Sequence, residues 1–329
     1  MRPLTLALLV NLSIHLALCA AAARAAEPRV LIISIDGGRP DVLLRADMPN
    51  LRALMRDGSF TFWALTTPAS VTMPSHTSML TGVTIERHGI TGNDDKSLEG
   101  QTSTSPTLFE RARARGISTA MAAGKSKFSI LLKDVDHAWV NPRSTGRDAD
   151  VAGHAIDIIR RHKPRLMFVH FPNNDNLGHS VGWGTPEQLK GLADTDTQIG
   201  RVLAALADAG VRDDTTILLS SDHGGRGRSH GKDDFRSLHI PWIITGPGVR
   251  RDFDLSRDKD LVIRTYDTFA TVCQVLGLDV PVDSDGRPVM IAFESTELLQ
   301  TSQAGPPTAP APRSTTRPMV GDKALTTQP

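Results

Sequence analysis

"RVLIISIDGGRPD", residues 29–41, is a run of apolar, mostly branched side chains that stops at an aspartate and two glycines. A run apolar on both sides and closed by a turn reads as a buried central strand, with Asp36 at its carboxyl end. The segments downstream extend this reading. "MPNLRALMRDG" (48–58) has helical spacing and a glycine stop, "SPTLFERARARG" (105–116) is a second amphipathic helix, and "ISTAMAAG" (117–124) a second strand. Strands are expected again at 165–171, 215–225 and 241–248, with helices at about 148–161, 185–209 and 262–277. Such alternation predicts an α/β fold, a mainly parallel central sheet with helices on both faces. Ligands bind beyond the carboxyl ends of the strands in these sheets. Polar residues just after the strands should therefore belong to one site.

The 329 residues carry 37 Lys and Arg against 36 Asp and Glu, a formal net charge of +1. That balance gives no electrostatic case for nucleic acid or an anionic membrane as the main partner. Residues 1–26 read as an export signal: Arg2, an apolar run interrupted by Asn11, Ser13 and His15, and the small-x-small stretch Ala23-Arg24-Ala25. The mature chain is expected to begin near Ala26 or Glu27, in the periplasm or outside the cell. The polar interruptions argue against a membrane anchor, so no stable span is expected once the signal is removed. Cys19 in "LALCA" matches a lipoprotein cleavage site poorly because a leucine precedes it. With Cys19 removed, Cys273 is the remaining cysteine and no internal disulfide forms. Residues 27–300 are expected to form one catalytic domain, and 301–329, rich in Thr, Pro and Ala, a disordered tail.

Asp36 follows the first strand, Asp175 and His179 in "NNDNLGHS" follow the strand ending at Phe171, and Asp222 and His223 in "SSDHGG" follow the next. His230 in "RSHGKDD" comes soon after. Singly, each has an ordinary explanation: an aspartate after a strand often caps a helix, and "DxxxH" on a loop is often surface. "SDHGG" is harder to dismiss, because two adjacent ionisable groups closing an apolar strand need compensation. Together, three carboxylates and three imidazoles at one rim are the ligands that borderline divalent metals such as zinc prefer. Six ligands suit two ions. Three carboxylates then leave one net positive charge, which a deprotonated nucleophile neutralises, and such a centre favours an anionic substrate and in-line phosphoryl displacement.

"SVTMPSHTSMLTG" (70–82) follows the first strand and helix and has Pro74 just inside a candidate helix start. A hydroxyl at such a terminus is a nucleophile when a metal lowers its pKa. By themselves, Ser70, Thr72 and Ser75 serve equally as caps.

"DGGRPD", "TMPSHTSMLTG", "ERHGITGN", "DNLGH", "SDHGG" and a later "HG" occur in the order seen in the alkaline phosphatase superfamily. The set most resembles its type I phosphodiesterase and nucleotide pyrophosphatase branch, over about residues 29–280. The resemblance implies that Thr72 is the nucleophile and passes through a phospho-threonine intermediate. It implies two zinc ions per chain, one held by Asp36, Thr72, Asp222 and His223, the other by Asp175, His179 and His230. It places the phosphate-contacting asparagine on Asn93, which as a residue alone also reads as a turn former before Asp94-Asp95. The substrate it implies is a small phosphate diester or a nucleotide-like molecule.

The chain also departs from the pattern. Ser75 stands where the family often has asparagine, and "PSH" approaches the sulfatase pattern. Sulfatases, however, need cysteine or serine in place of Thr72 and typically bind calcium through oxygen ligands. His239 in "SLHIPW" is an alternative to His230, though it adjoins a strand. Lys125 and Lys127 in "AAGKSKF" end a strand and are candidate substrate-binding cations, as well as ordinary loop solvators. They or Arg226 and Arg228 would suit the extra charge of a phosphomonoester. Glu86 and Arg87 read as local structure, and His88 as a brace behind the site. Phosphonate hydrolysis and a non-catalytic metal-binding module are the remaining alternatives.

Overall fold

The computed structural model describes residues 27–143, 145–231 and 234–294. The expected signal peptide with Cys19, residues 295–300 of the expected domain and the expected tail lie outside the described residues. Eight strands form one sheet: β1 (Arg29–Ile35), β2 (Gly58–Leu65), β3 (Thr119–Ala123), β4 (His137–Val140), β5 (Leu166–Phe171), β6 (Thr215–Ser220), β7 (His239–Thr245) and β8 (Phe253–Asp254). Their order is β4-β3-β5-β1-β6-β7-β2-β8.

The opening stretch is the central strand. β1 lies between β5 and β6, parallel to both, with Ile35 opposite Phe171 and Ser34 opposite Ser220. Its side chains alternate between two cores: Val30 and Ile32 enter one, Leu31, Ile33 and Ile35 the other. This explains an apolar run without polar alternation, since both faces of the sheet are covered. Each such side chain contributes about 1.5–3 kcal/mol when fully buried.

On the first face pack α3 (Thr72–Thr81), α4 (Leu108–Ala114) and α8 (Asp267–Leu276). On the second pack α1 (Pro40–Arg45), α2 (Pro49–Arg56), α5 (Asp148–His162) and α7 (Pro186–Asp208). α6 (Asn173–Val181) follows β5 at the rim. Among the described residues, no helix is long and apolar enough to cross a membrane.

The mainly parallel sheet with helices on both faces agrees with expectation, and three details differ. β7 runs against both β6 and β2, and β2, β4 and β8 were not among the expected strands, although β2 (GSFTFWAL) has the aromatic and β-branched residues that favour one. The helix expected from 262 begins at Asp267, because residues 264–265 run beside β2: Arg264 bridges Leu65, and Thr265 N donates to Leu65 O at 2.8 Å. "NNDNLGHS" is helical, not a loop. Its N–H of Asn173 is capped by Asp148 Oδ1 from α5 at 3.0 Å.

Candidate metal centre

Because β5, β1 and β6 are adjacent and parallel, their carboxyl ends deliver Asp36, α6 and the Asp222-His223 pair to one place. α6 then sets Asp175 and His179 four residues apart, one turn, on the same side of the helix. Two groups result. Asp36, Asp222 and His223 form one, and Asp175, His179 and His230 the other, with candidate ligand atoms in each group within 4.8 Å of one another. His223 Nε2 lies 3.5 Å from Asp36 Oδ1 and 3.2 Å from Asp222 Oδ2. Asp175 Oδ1 lies 3.4 Å from His179 Nε2 and 3.7 Å from His230 Nε2.

The imidazoles are held in one tautomer by the main chain. Nδ1 of His223 donates to Gly224 O at 2.8 Å, that of His230 to Ser70 O at 2.9 Å, and that of His179 to Arg228 O at 3.0 Å. Each Nε2 is thereby left as a lone pair facing a carboxylate. Burial, followed by neighbouring His230, pushes His223 down to about 3, and burial lowers His230 as well, so both are neutral near pH 7.

The carboxylates follow the same logic. Asp36 Oδ2 accepts His170 Nε2 at 2.8 Å and Lys125 Nζ at 2.6 Å. Asp222 Oδ1 accepts the N–H groups of Gly37 and His223, each at 3.0 Å. Asp175 Oδ2 accepts Lys125 Nζ at 2.6 Å. The second oxygen of each, Asp36 Oδ1, Asp222 Oδ2 and Asp175 Oδ1, is buried without a partner, as is His223 Nε2. Unpartnered buried polar atoms are costly and rare. Here three of them meet in the first group and the fourth, Asp175 Oδ1, faces His179 and His230 in the second, an arrangement that a cation in each group satisfies. Burial works to raise Asp36, yet Lys125 and His170 hold it well below the usual carboxylate range, whereas burial and then Asp36 drive Asp222 well above it. Protein groups alone do not support full ionisation of all the carboxylates. The donor set, carboxylates with neutral imidazoles, fits zinc.

Thr72 is the first residue of α3 and is buried. Ser75 Oγ, one turn on, donates to Asp222 O at 2.7 Å, and Thr66 Oγ1 donates to the same carbonyl, which ties the helix start to the first group. His76 Nδ1 donates to Thr72 O at 2.8 Å. The Thr72 hydroxyl makes no side-chain hydrogen bond among the described residues. Ser70, at φ 42, turns its carbonyl to His230. Asn93 crosses to the same helix start: its Oδ1 accepts Met73 N at 3.0 Å and Lys127 Nζ at 3.0 Å, which leaves its NH2 as the uncommitted end.

His239 stands apart, its ring edge-on to Trp63. Lys125 is buried against Asp36 and Asp175, and Lys127 against Asn93, so neither solvates a loop. Burial and then Lys125 push Lys127 down to about 8. Arg226 is largely exposed, 3.5 Å from Asp234, and Arg87 pairs with Asp283 and Asp285. His88 accepts Ile90 N at Nδ1 and bonds Ser78 of α3 through Nε2, behind the helix that carries Thr72.

Two contributors had no sequence signal. His170 looks like one more residue of an apolar strand. Trp183 donates from Nε1 to Gly37 O at 2.9 Å, and its ring lies over Gly178 and Gly225, where any Cβ would come within 2.6 and 2.3 Å of it.

Residues 30–232 match the family described as type I phosphodiesterase / nucleotide pyrophosphatase. An uncharacterised pyrophosphatase/phosphodiesterase of Schizosaccharomyces pombe is 24% identical over 217 residues, 60% of this chain and 45% of the relative. The bis(5'-adenosyl)-triphosphatase enpp4 of Xenopus laevis is 25% identical over 214 residues, 60% of this chain and 47% of the relative. The chain thus spans about half the length of the curated relatives it matches. An inactive variant of murine ectonucleotide pyrophosphatase/phosphodiesterase 5, solved with AMP, superposes with a TM-score of 0.66 at 17% identity, covering 79% of this chain and 98% of that one. That likeness carries the fold, whereas the family match extends over most of the sheet and all the grouped side chains: this chain belongs to the type I phosphodiesterase / nucleotide pyrophosphatase family.

Proposed function

We propose that this chain is an exported hydrolase of phosphoric ester bonds, a phosphodiesterase or nucleotide pyrophosphatase whose catalytic domain spans residues 27–300 and which works through a threonine nucleophile. The observation that carries the reading is the pair of inward-facing ligand groups with the start of α3 bonded to one of them. Asp36, Asp222, His223 and Thr72 would hold one zinc ion, and Asp175, His179 and His230 the other. When bound, the ions supply Lewis-acid stabilisation of the attacking and leaving oxygens and lower the pKa of the threonine hydroxyl.

The residues divide the remaining work. Thr72 Oγ attacks phosphorus in line, forming an O–P bond as the bond to the leaving oxygen breaks; that oxygen takes up a proton, and water then hydrolyses the phospho-threonine. The NH2 of Asn93 donates to a non-bridging phosphoryl oxygen, its orientation set by Met73 N and Lys127 holding its carbonyl. Family membership and the AMP complex of a fold neighbour favour a nucleotide-like diester or pyrophosphate substrate.

A second reading, phosphomonoesterase, is favoured by one observation. Lys125 and Lys127 place two buried cationic groups beside the ligand groups, and added positive charge suits a dianionic phosphate. Hydrolysis of bis-p-nitrophenyl phosphate against p-nitrophenyl phosphate separates the two, alongside metal analysis of the mature protein, for which two zinc ions per chain are expected. Replacing Thr72→Ala is expected to abolish turnover, by 10³-fold or more on the order of a lost nucleophile, while zinc content and fold persist. A Thr72→Ala protein turning over at a near-normal rate would remove the assignment.

A further inference from the structure

Of the buried cations, Lys125 alone touches carboxylates of both ligand groups among the described residues. Its ammonium lies 2.6 Å from Asp36 Oδ2 in one group and 2.6 Å from Asp175 Oδ2 in the other. In both aspartates the remaining oxygen, Oδ1, is the buried atom without a partner that faces the imidazoles of its own group. We propose that Lys125 is a positioning residue that couples the two metal groups, pinning one oxygen of each carboxylate so that the other is turned to its own ion. The inference rests on the two-metal reading above.

The fold delivers this ammonium by close contact of β3 and β5. Gly124, just before Lys125, donates its N–H to the carbonyl and to Nδ1 of His170, both at 3.3 Å, and a Cβ there would come within 2.3 Å of Pro172. The same contact orients His170, whose Nε2 gives Asp36 Oδ2 its second donor at 2.8 Å. A carboxylate pinned at one oxygen loses the freedom to rotate its free oxygen away from the ligand group. Because a single Nζ pins both, an ion that fixes one carboxylate fixes the lysine, and through it the other carboxylate. Hydrogen bonds behind metal ligands typically carry 10–100-fold in metal affinity.

The sign of the effect makes the proposal testable. By charge alone, removing an ammonium beside two cations would tighten metal binding; by positioning, it weakens both sites together. Zinc affinity and stoichiometry are to be measured by chelator competition on the purified chain, with folding in EDTA checked by circular dichroism. Lys125→Met is expected to bind zinc about 10–100-fold more weakly at both sites, and Lys133→Met, an exposed lysine paired with Glu110 away from the ligand groups, to retain wild-type affinity. Should Lys125→Met not fold, Lys125→Gln, which keeps an N–H pair, replaces it and is expected to show a smaller loss in the same direction. Unchanged or tighter zinc binding in the Lys125 variant, with or without a rise in KM, overturns the proposal. A wild-type chain that binds no zinc removes the two-metal reading and this proposal with it.

Discussion

His88 illustrates how a single buried imidazole links α3 to pH. It is fully covered, accepts Ile90 N at Nδ1 and meets Ser78 Oγ at Nε2, 3.0 Å in each case. Burial pushes it down from 6.5 to about 4. Above pH 6.5 it is neutral in both folded and unfolded chains and contributes no pH dependence. As pH falls from 6.5 toward 4 the unfolded chain takes up a proton that the folded one refuses, so stability is lost across that window. The loss is on the order of 3 kcal/mol. Urea unfolding in EDTA at pH 7 and pH 4.5 should show the wild type losing more stability than His88→Gln, by about 2 kcal/mol. Equal losses in the two proteins would show that His88 does not titrate as its burial dictates.

At the scale of elements, the ligand groups depend on two loops and helix α6 staying together, and Trp183 touches all three. It bonds Gly37 after β1, covers Gly178 on α6 and covers Gly225 after β6. Gly37 itself sits at φ 69, where a side chain is strained, with Trp183 Cζ2 3.1 Å from the position of an added Cβ. Trp183→Leu removes ring volume and the Nε1–H bond at once. The expected cost is about 3 kcal/mol of stability, together with weaker zinc binding, since Asp36, Asp175 and His223 sit on the loosened segments. Thermal unfolding in EDTA and zinc titration check the two effects separately. A variant with lowered stability but unaltered zinc affinity would confine Trp183 to packing.

For the whole molecule, zinc binding and folding should be linked, because the unpartnered atoms of the ligand groups come from loops and helices spread along the chain between Asp36 and His230. An ion that binds only the folded chain adds about 2.7 kcal/mol at one hundred times its Kd. With two sites, chelation is expected to lower Tm by on the order of 10 °C, and added zinc to restore it. A Tm indifferent to EDTA and zinc would argue against resident metal.

Much of this was legible in the chain. The β1 run, its closing Asp36, the pairs Asp175/His179 and Asp222/His223, and the Thr72 stretch stand in short motifs, each readable because the residues that matter are neighbours. The two covered faces of the sheet were legible for the same reason, since an uninterrupted apolar run has no side left for water. Periodicity records only which way a segment faces, never what it meets. The reversed direction of β7, the helical turn that aligns Asp175 with His179, and the roles of Lys125, His170 and Trp183 were therefore decided by tertiary structure. Lys125 lies 50 residues from Asp175, and His170 134 residues from Asp36, so their meeting depends on strand order. The local chemistry named the candidate ligands; long-range packing determined which oxygen of each carboxylate is left without a partner.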